Sequence, residues 1–260
     1  MKLLHSDDTA DASANPPNTS VLAPFDSASI IDAAVERGLD REHVAELVRG
    51  APPMWAGWGT VESRADDLAL VVRPLGANDL RVRVNAPTDA SREWEVTVVA
   101  ADRSGLLSIT ATVLAQNHVS VTSARIASWP SGQAIQTLRV RPDETSSVEP
   151  PWPFIGQDLR HALLHGAPRV GALAFSSSWV QRVTTLTESD EYERVLIEFD
   201  APDEVGVLAT IAGALSIVGA NIVAGSVTSA HGRATDALVV DVPLAAKAAV
   251  RSLVGQPAST

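Results

Sequence analysis

An internal repeat constrains the fold of this chain more than any other feature of its sequence. A shift of 101 positions superimposes two stretches without a gap, at a point where a strand turns into a helix. The matched pairs are Ala100 with Ala201, Asp102 with Asp203, Gly105 with Gly206, Leu107 with Leu208, Ala111 with Ala212, Leu114 with Leu215, Val121 with Ile222 and Ile126 with Val227. Each copy is therefore expected to fold as the same supersecondary unit.

Hydrophobic patterns give both copies the same order of elements, namely strand, turn, helix, strand, strand and helix. The predicted strands cover 95–100, 119–127, 133–141, 194–200, 220–229 and 234–242, and the closing helices cover about 155–165 and 244–254. This is the split βαβ order of ferredoxin-like domains. The expected fold class is α+β, with two ferredoxin-like (βαββαβ) domains in tandem.

The segment before the repeats differs in character from them. Residues 1–26 are rich in Asp, Asn, Ser and Pro and are expected to form a disordered tail. Residues 27–90 read as a connector of two short helices followed by a hairpin, with strands over 67–73 and 80–85. The predicted domain ranges are 91–175 for the first repeat and 190–256 for the second.

The second repeat ends too early to supply a fourth strand from its own C-terminal side. Only residues 254–260 follow its last predicted helix. Either this sheet has three strands, or another segment completes it. The predicted hairpin at 67–85 is the candidate donor.

Composition excludes several classes of function. The formal net charge is −11 and the Lys and Arg residues do not cluster, which argues against nucleic-acid binding. With no cysteine, neither a disulfide framework nor a Cys-ligated zinc site is possible. No apolar run approaches the roughly 20 residues of a membrane span, and the N-terminus lacks a signal-peptide core. The chain is expected to be cytoplasmic, without a cofactor or a metal.

The strand-to-helix turn of each repeat resembles the start of an ACT domain. The run DRSGLL from Asp102 to Leu107 is similar to the D-R-x-G-L-L pattern typical of that family, and DEVGVL from Asp203 to Leu208 is a weaker version of it. The run GANI that contains Asn221 resembles the family's G-x-N-I entry to the second strand. The resemblance implies a regulatory domain that binds an amino acid and forms a homodimer.

The pair of repeats, with the stretch from Pro153 to Leu163 between them, resembles the C-terminal region of protein-PII uridylyltransferases, especially the actinobacterial forms. The catalytic parts of that family are missing, because no Gly-Ser loop with paired aspartates and no His-Asp pair is found. No G-x-S-x-G elbow or phosphate loop is present either. The resemblance therefore covers only the regulatory sensor, which in that family binds glutamine.

An amino acid offers a carboxylate to a helix N-terminus and an ammonium group to an acidic side chain. Gly105 and Gly206 allow the backbone to approach a ligand, Asp102 and Asp203 could accept from the ammonium group, and Asn221 could bind a side-chain amide. The competing interpretation is that the glycines only make turns and the aspartates only cap helices. The candidate ligand-binding residues are Asp102, Arg103, Gly105, Leu106, Asp203, Gly206, Val207 and Asn221.

Three functions remain open on the sequence. The first is a regulatory protein, without a catalytic centre, that senses an amino acid, with glutamine as the leading ligand. The second is a non-catalytic subunit or degenerate relative of the uridylyltransferase, which acts through a PII-type or nucleotidyltransferase partner. The third is an ACT pair that only dimerises through its sheet edges.

Overall fold

The computed structural model describes residues 26–52, 55, 57–88, 92–142, 149–166 and 173–255. Except for Asp26, the predicted disordered tail lies outside these residues. The helices are α1 Ser27–Glu36, α2 Arg41–Arg49, α3 Val61–Val71, α4 Leu106–Gln116, α5 Trp152–His165, α6 Val207–Ile217 and α7 Lys247–Leu253. The strands are β1 Leu80–Asn85, β2 Trp94–Ala101, β3 Val119–Ser128, β4 Gln133–Pro142, β5 Val180–Glu188, β6 Tyr192–Pro202, β7 Asn221–Ala230 and β8 Arg233–Pro243.

The eight strands form one antiparallel sheet in the order β1-β2-β4-β3-β7-β8-β6-β5. Each half of the sheet contains four neighbouring strands, and the two halves meet where β3 pairs with β7, from Ser123 opposite Thr228 to Ala127 opposite Ala224. The helices that follow the repeated turns, α4 and α6, pack against each other on one face of the sheet. The α+β class with tandem ferredoxin-like halves is thereby confirmed.

The fourth strand of each half comes from the segment before the repeat. β1 pairs with β2 at one edge of the sheet, and β5 pairs with β6 at the other. The prediction that a hairpin at 67–85 completes the second repeat is wrong, because residues 80–85 complete the first repeat and β5 completes the second. β5 was missed because register shifts between Val180 and Arg182 and between Thr185 and Thr187 disturb the two-residue alternation of a strand.

The predicted strand over 67–73 is also wrong, because helix α3 runs from Val61 to Val71. Thr60 caps this helix: its hydroxyl accepts from the N–H of Ser63 while the Ser63 hydroxyl accepts from the N–H of Thr60. The apolar run at its C-terminal end fits either a buried strand or a buried helix. The upstream cap decides between them.

Two apolar layers cover the sheet. One contains α4 to α7 and spans both repeats, with Leu107 and Leu114 of the first packed in the same cluster as Ile211 and Leu215 of the second. The other layer is the N-terminal helical segment, which covers the opposite face of the first half only. Its core joins residues of α1, α2 and α3 to Val99, Ala127, Trp129 and Ile135 of the sheet.

Trp55 lies at the centre of this second layer. Its ring is fully buried and packs edge-on against Trp129, with 5.3 Å between the ring centroids. Its Nε1 donates a hydrogen bond of 3.1 Å to Asp67. The tryptophan thus ties the N-terminal segment to the first repeat. In the described part of the chain, no helix is both long and apolar enough to cross a membrane.

Candidate functional site

The two repeated turns lie at opposite ends of the α4–α6 helix pair. Ser104, just before α4, contacts Ser216 in the last turn of α6 and Ala220 just before β7. Around the turn before α6, Gly206 lines a pocket together with Ala115 near the end of α4. The helices therefore run antiparallel, and each turn faces the C-terminal end of the helix from the other repeat.

Glycine is required at both turns by the backbone. Gly105 has φ +85° and Gly206 has φ +93°, in the left-handed region that side chains disfavour. Each glycine is the N-cap of its helix and provides no side-chain cap. The first N–H groups of α4 and α6 have no partner within their own helix, which makes each turn a potential site for an acceptor.

The turn of the first repeat is closed by side chains. The Ser104 hydroxyl donates to the carbonyl of Ala220 at 2.8 Å and lies 3.3 Å from the Ser216 hydroxyl. A Cβ on Gly105 would lie only 2.8 Å from the Ser216 oxygen. Asn221 Nδ2 donates to both carboxylate oxygens of Asp102 at 3.3 and 3.4 Å. Side chains of the chain itself thus fill the space around this turn.

The other two candidates at this turn are also held by protein contacts. Arg103 donates from its guanidinium to the carbonyl of Leu163 in α5. Leu106 is only 4% exposed and packs in a small apolar cluster that includes Leu163. Burial raises the pKa of Asp102, while the hydrogen bond from Asn221 opposes that rise.

The turn of the second repeat, by contrast, opens on a pocket between the repeats. The space free of protein atoms at this point is about 380 Å³, a figure that includes open solvent. Asp203, Gly206 and Val207 all line the pocket, so the structure brings these three predicted residues together. The first repeat contributes the wall, through Ala111, Ala115, Val119, Ser120 and Val121.

Three residue differences between the repeats explain why the first turn is closed and the second is open. The 101-position shift places Ala115 where the closed turn has Ser216, Ser120 where it has Asn221, and Val205 where it has Ser104. Each exchange removes or shortens a polar side chain that closes the first turn. Asn221, although part of the second repeat, therefore belongs to the closed site, and Ser120 is its counterpart at the open one.

The floor of the open pocket contains a buried acid that the sequence analysis did not single out. Asp236 in β8 is 1% exposed and lines the pocket, and neither of its carboxylate oxygens has a hydrogen-bond partner among the residues that the structure describes. Burial, with a further contribution from Asp203, raises its pKa to about 7. The alternation of β8 could have revealed it, because Asp236 falls between the buried residues Ala234 and Leu238.

Strand register identifies the counterpart of Asp236 in the first repeat. Ala134 is opposite Ala100 and Ala234 is opposite Ala201, so β4 and β8 are related by a shift of 100, which places Gln136 on Asp236. Gln136 is likewise 1% exposed, and its Oε1 has no hydrogen-bond partner in the described part of the chain. Both repeats thus place a buried polar group beneath the turn, but only the second places a carboxylate there.

The capping interpretation of the two repeated aspartates is wrong. The glycines, and not the aspartates, occupy the N-cap positions of the two helices. Asp102 instead accepts a hydrogen bond from Asn221, and Asp203 accepts one from the Ser229 hydroxyl at 2.9 Å. Among the described residues, no three acidic or His side chains cluster as metal ligands. The rings of His161 and His165 on α5 lie 4.6 Å apart and are tilted by 45° to each other.

Comparison with known proteins adds a family for the second repeat. The ACT domain family matches residues 195–249, which include the open turn and Asp236. No curated protein matches the chain.

Two solved structures resemble the chain weakly. An aspartate kinase from Synechocystis is 11% identical, with a TM-score of 0.37, over 75% of this chain and 31% of the kinase chain. An unknown protein from Galdieria sulphuraria is 18% identical, with a TM-score of 0.23, over 63% of this chain and 89% of its own. The chain thus spans less than a third of the kinase. From the family match, the protein contains an ACT domain in its second repeat.

Proposed function

We propose that this protein is a regulatory amino-acid-binding protein and that its ligand occupies the open pocket between the repeats. ACT domains are regulatory modules that bind small amino acids, and one lies over residues 195–249. The observation that carries the proposal is the contrast between the two turns. One is filled by the protein's own side chains, whereas the other leaves a helix N-terminus facing a pocket.

The pocket offers complementary groups to the two ends of an amino acid. The N–H groups of Leu208 and Ala209 lie in the first turn of α6, where the helix provides them with no acceptor. A ligand carboxylate is favoured there by these donors and by the helix dipole. Asp203 and Glu204 are exposed at the rim and can accept from the ammonium group.

Binding in this pocket would bridge the repeats. One wall belongs to α4 and β3, and the other to the turn before α6 and to β7 and β8. A ligand that contacts both walls favours the arrangement in which they are correctly spaced. The regulatory output is then a change in the relative orientation of the two halves or in their contacts with a partner. Glutamine, the ligand that the uridylyltransferase resemblance implies, is one candidate among the amino acids to be tested. Homodimer formation and a PII-type partner, which that resemblance also implies, remain parts of this proposal.

The test is a thermal-shift panel of the twenty amino acids at millimolar concentration. A ligand at 100 times its Kd adds about 2.7 kcal/mol to the free energy of unfolding. The closing variant Ala115→Ser/Ser120→Asn/Val205→Ser transfers the side chains of the closed turn to the open one. We expect a selective rise in Tm for the wild type and none for this variant.

The matched control is Ser216→Ala/Asn221→Ser, which removes the closing side chains from the first turn and leaves the open pocket intact. It should retain the ligand response of the wild type. A panel in which no amino acid raises the Tm, or a closing variant that still responds fully, would overturn the proposal.

A further inference from the structure

The open pocket has an unbalanced charge. Asp203, Glu204 and Asp236 all line it. Of the pocket-lining residues that the structure describes, none is a Lys, Arg or His. The nearby cation Arg233 is held by Asp200, with 2.8 Å between Nε and Oδ1. The described part of the site therefore supplies three carboxylates and no positive side chain to balance them.

Because Asp236 is buried, the ligand must supply the positive charge that balances its carboxylate. A buried carboxylate without a hydrogen-bond partner is unfavourable in its charged form, because it has lost water and gained nothing in exchange. Among the described residues, the elements around it provide no cation. Asp203 and Glu204 come from the turn, Val227 and Ser229 from β7, Phe199 from β6, and only apolar residues and Ser120 from α4 and β3. The first repeat avoids the problem with the neutral Gln136.

We propose that the open pocket selects an amino acid whose side chain carries a second cationic group, an ammonium or guanidinium, and that Asp236 is the residue that determines this specificity. The inference rests on the proposed function and narrows its ligand class. The α-carboxylate lies at the N-terminus of α6, the α-ammonium group faces Asp203 and Glu204, and the side-chain cation pairs with Asp236.

A neutral amino acid such as glutamine satisfies this site less well. Its zwitterion brings one positive charge, which the rim carboxylates can bind, and it leaves the charge of Asp236 without a counterion. An acidic amino acid adds a further negative charge. A lysine-like ligand pairs the buried acid with a cation, and complementary charge at a binding site favours the matching ligand over neutral or acidic ones.

The proton on Asp236 links binding to pH. Because the pKa of Asp236 in the protein without a ligand is about 7, its carboxyl is largely protonated at pH 6 and largely ionised at pH 8. A cationic ligand binds the ionised form and displaces the proton. Affinity for such a ligand should rise about tenfold from pH 6 to pH 8, whereas a neutral ligand lacks this dependence.

The experiment is calorimetric titration of the whole chain at pH 6 and pH 8 with lysine, norleucine, glutamine and 1-aminobutane. Norleucine has the shape of lysine without its side-chain charge, and 1-aminobutane has that charge without the amino-acid end. We expect lysine to bind at least tenfold more tightly than norleucine or glutamine at pH 8. Asp236→Asn should lower lysine affinity at least about 30-fold and abolish its pH dependence.

The control variant is Asp241→Asn on the same strand. Asp241 pairs with Arg194 at 2.6 Å and does not line the pocket, so lysine affinity should be unchanged. If norleucine or glutamine binds as tightly as lysine, the charge specificity is wrong while the amino-acid function stands. If no amino acid binds but 1-aminobutane does so through Asp236, the proposed function fails and the cation site remains. Absence of all binding overturns both.

Discussion

At the scale of single residues, Asp236 should make the free energy of unfolding depend on pH. Its folded pKa, about 7, lies above the ordinary value of an aspartate, so the protonated form stabilises the fold. That stability is fully present below about pH 4 and is lost at up to about 1.4 kcal/mol per pH unit as pH rises to 7. Asp236→Asn should therefore be more stable than the wild type at pH 8, by on the order of 2 kcal/mol.

Urea unfolding at pH 5 and pH 8 measures this effect directly. The difference between the two proteins should grow from pH 5 to pH 8 in favour of the variant. Asp241→Asn, on the same strand, should follow the pH dependence of the wild type. Parallel pH profiles for the wild type and Asp236→Asn would show that the buried carboxyl does not carry the linkage.

Individual residues also show how much of the site could be predicted from the sequence. The repeat and the motif located both glycine turns, because glycine at a positive φ leaves a local signature. They could not show that one turn is closed, since this depends on Ser216 and Asn221, more than a hundred positions away from Ser104. Asp236 could have been found from the sequence, because it alternates in register with the buried residues Ala234 and Leu238 of the predicted strand.

At the scale of elements, a buried charge network holds α3 on the sheet. Asp67 is 1% exposed and lies 3.1 Å from Arg64 and 3.1 Å from Arg83 of β1. Burial raises its pKa in spite of these two cations. Asp67→Asn leaves Arg64 buried without its acid, a change that typically destabilises a protein by about 3–5 kcal/mol.

The neighbouring residue provides a matched control. Asp66 pairs with Arg37 at 2.6 Å, but its side chain is 49% exposed. Surface pairs of this kind contribute about 0–1 kcal/mol, so Asp66→Asn should shift the unfolding midpoint much less than Asp67→Asn. Chemical denaturation of both variants decides the point. Equal midpoints would mean that the buried network does not anchor α3.

The elements that the sequence predicted well are those with a regular period. β6 and β8 alternate cleanly, and both lie within one residue or two of their predicted ranges. β5 and α3 were missed for two different physical reasons. The bulges of β5 obscure its alternation, and the helical identity of α3 depends on the cap at Thr60 more than on its apolar residues.

At the scale of the whole molecule, the two halves should unfold as one unit. β3 and β7 pair across the middle of the sheet, and one apolar cluster spans both repeats. The tandem order of the repeats was readable from the sequence. The side-by-side joining was not, because strand neighbours are set by pairing over long sequence separations, from Ser123 to Thr228, and not by local pattern.

The contact between α4 and α6 offers a way to test this unity. A Cβ on Gly213 of α6 would lie 3.2 Å from the Ser108 hydroxyl of α4, so the two helices approach closely at this point. Gly213→Leu forces them apart and should cost about 1–3 kcal/mol, although leucine favours a helix. Gly213→Ala should be nearly neutral, because its gain in helix propensity of about 1 kcal/mol offsets a tight contact. Calorimetry should show one unfolding transition for the wild type and a broadened or divided transition for Gly213→Leu. Two transitions in the wild type would show that the halves unfold independently.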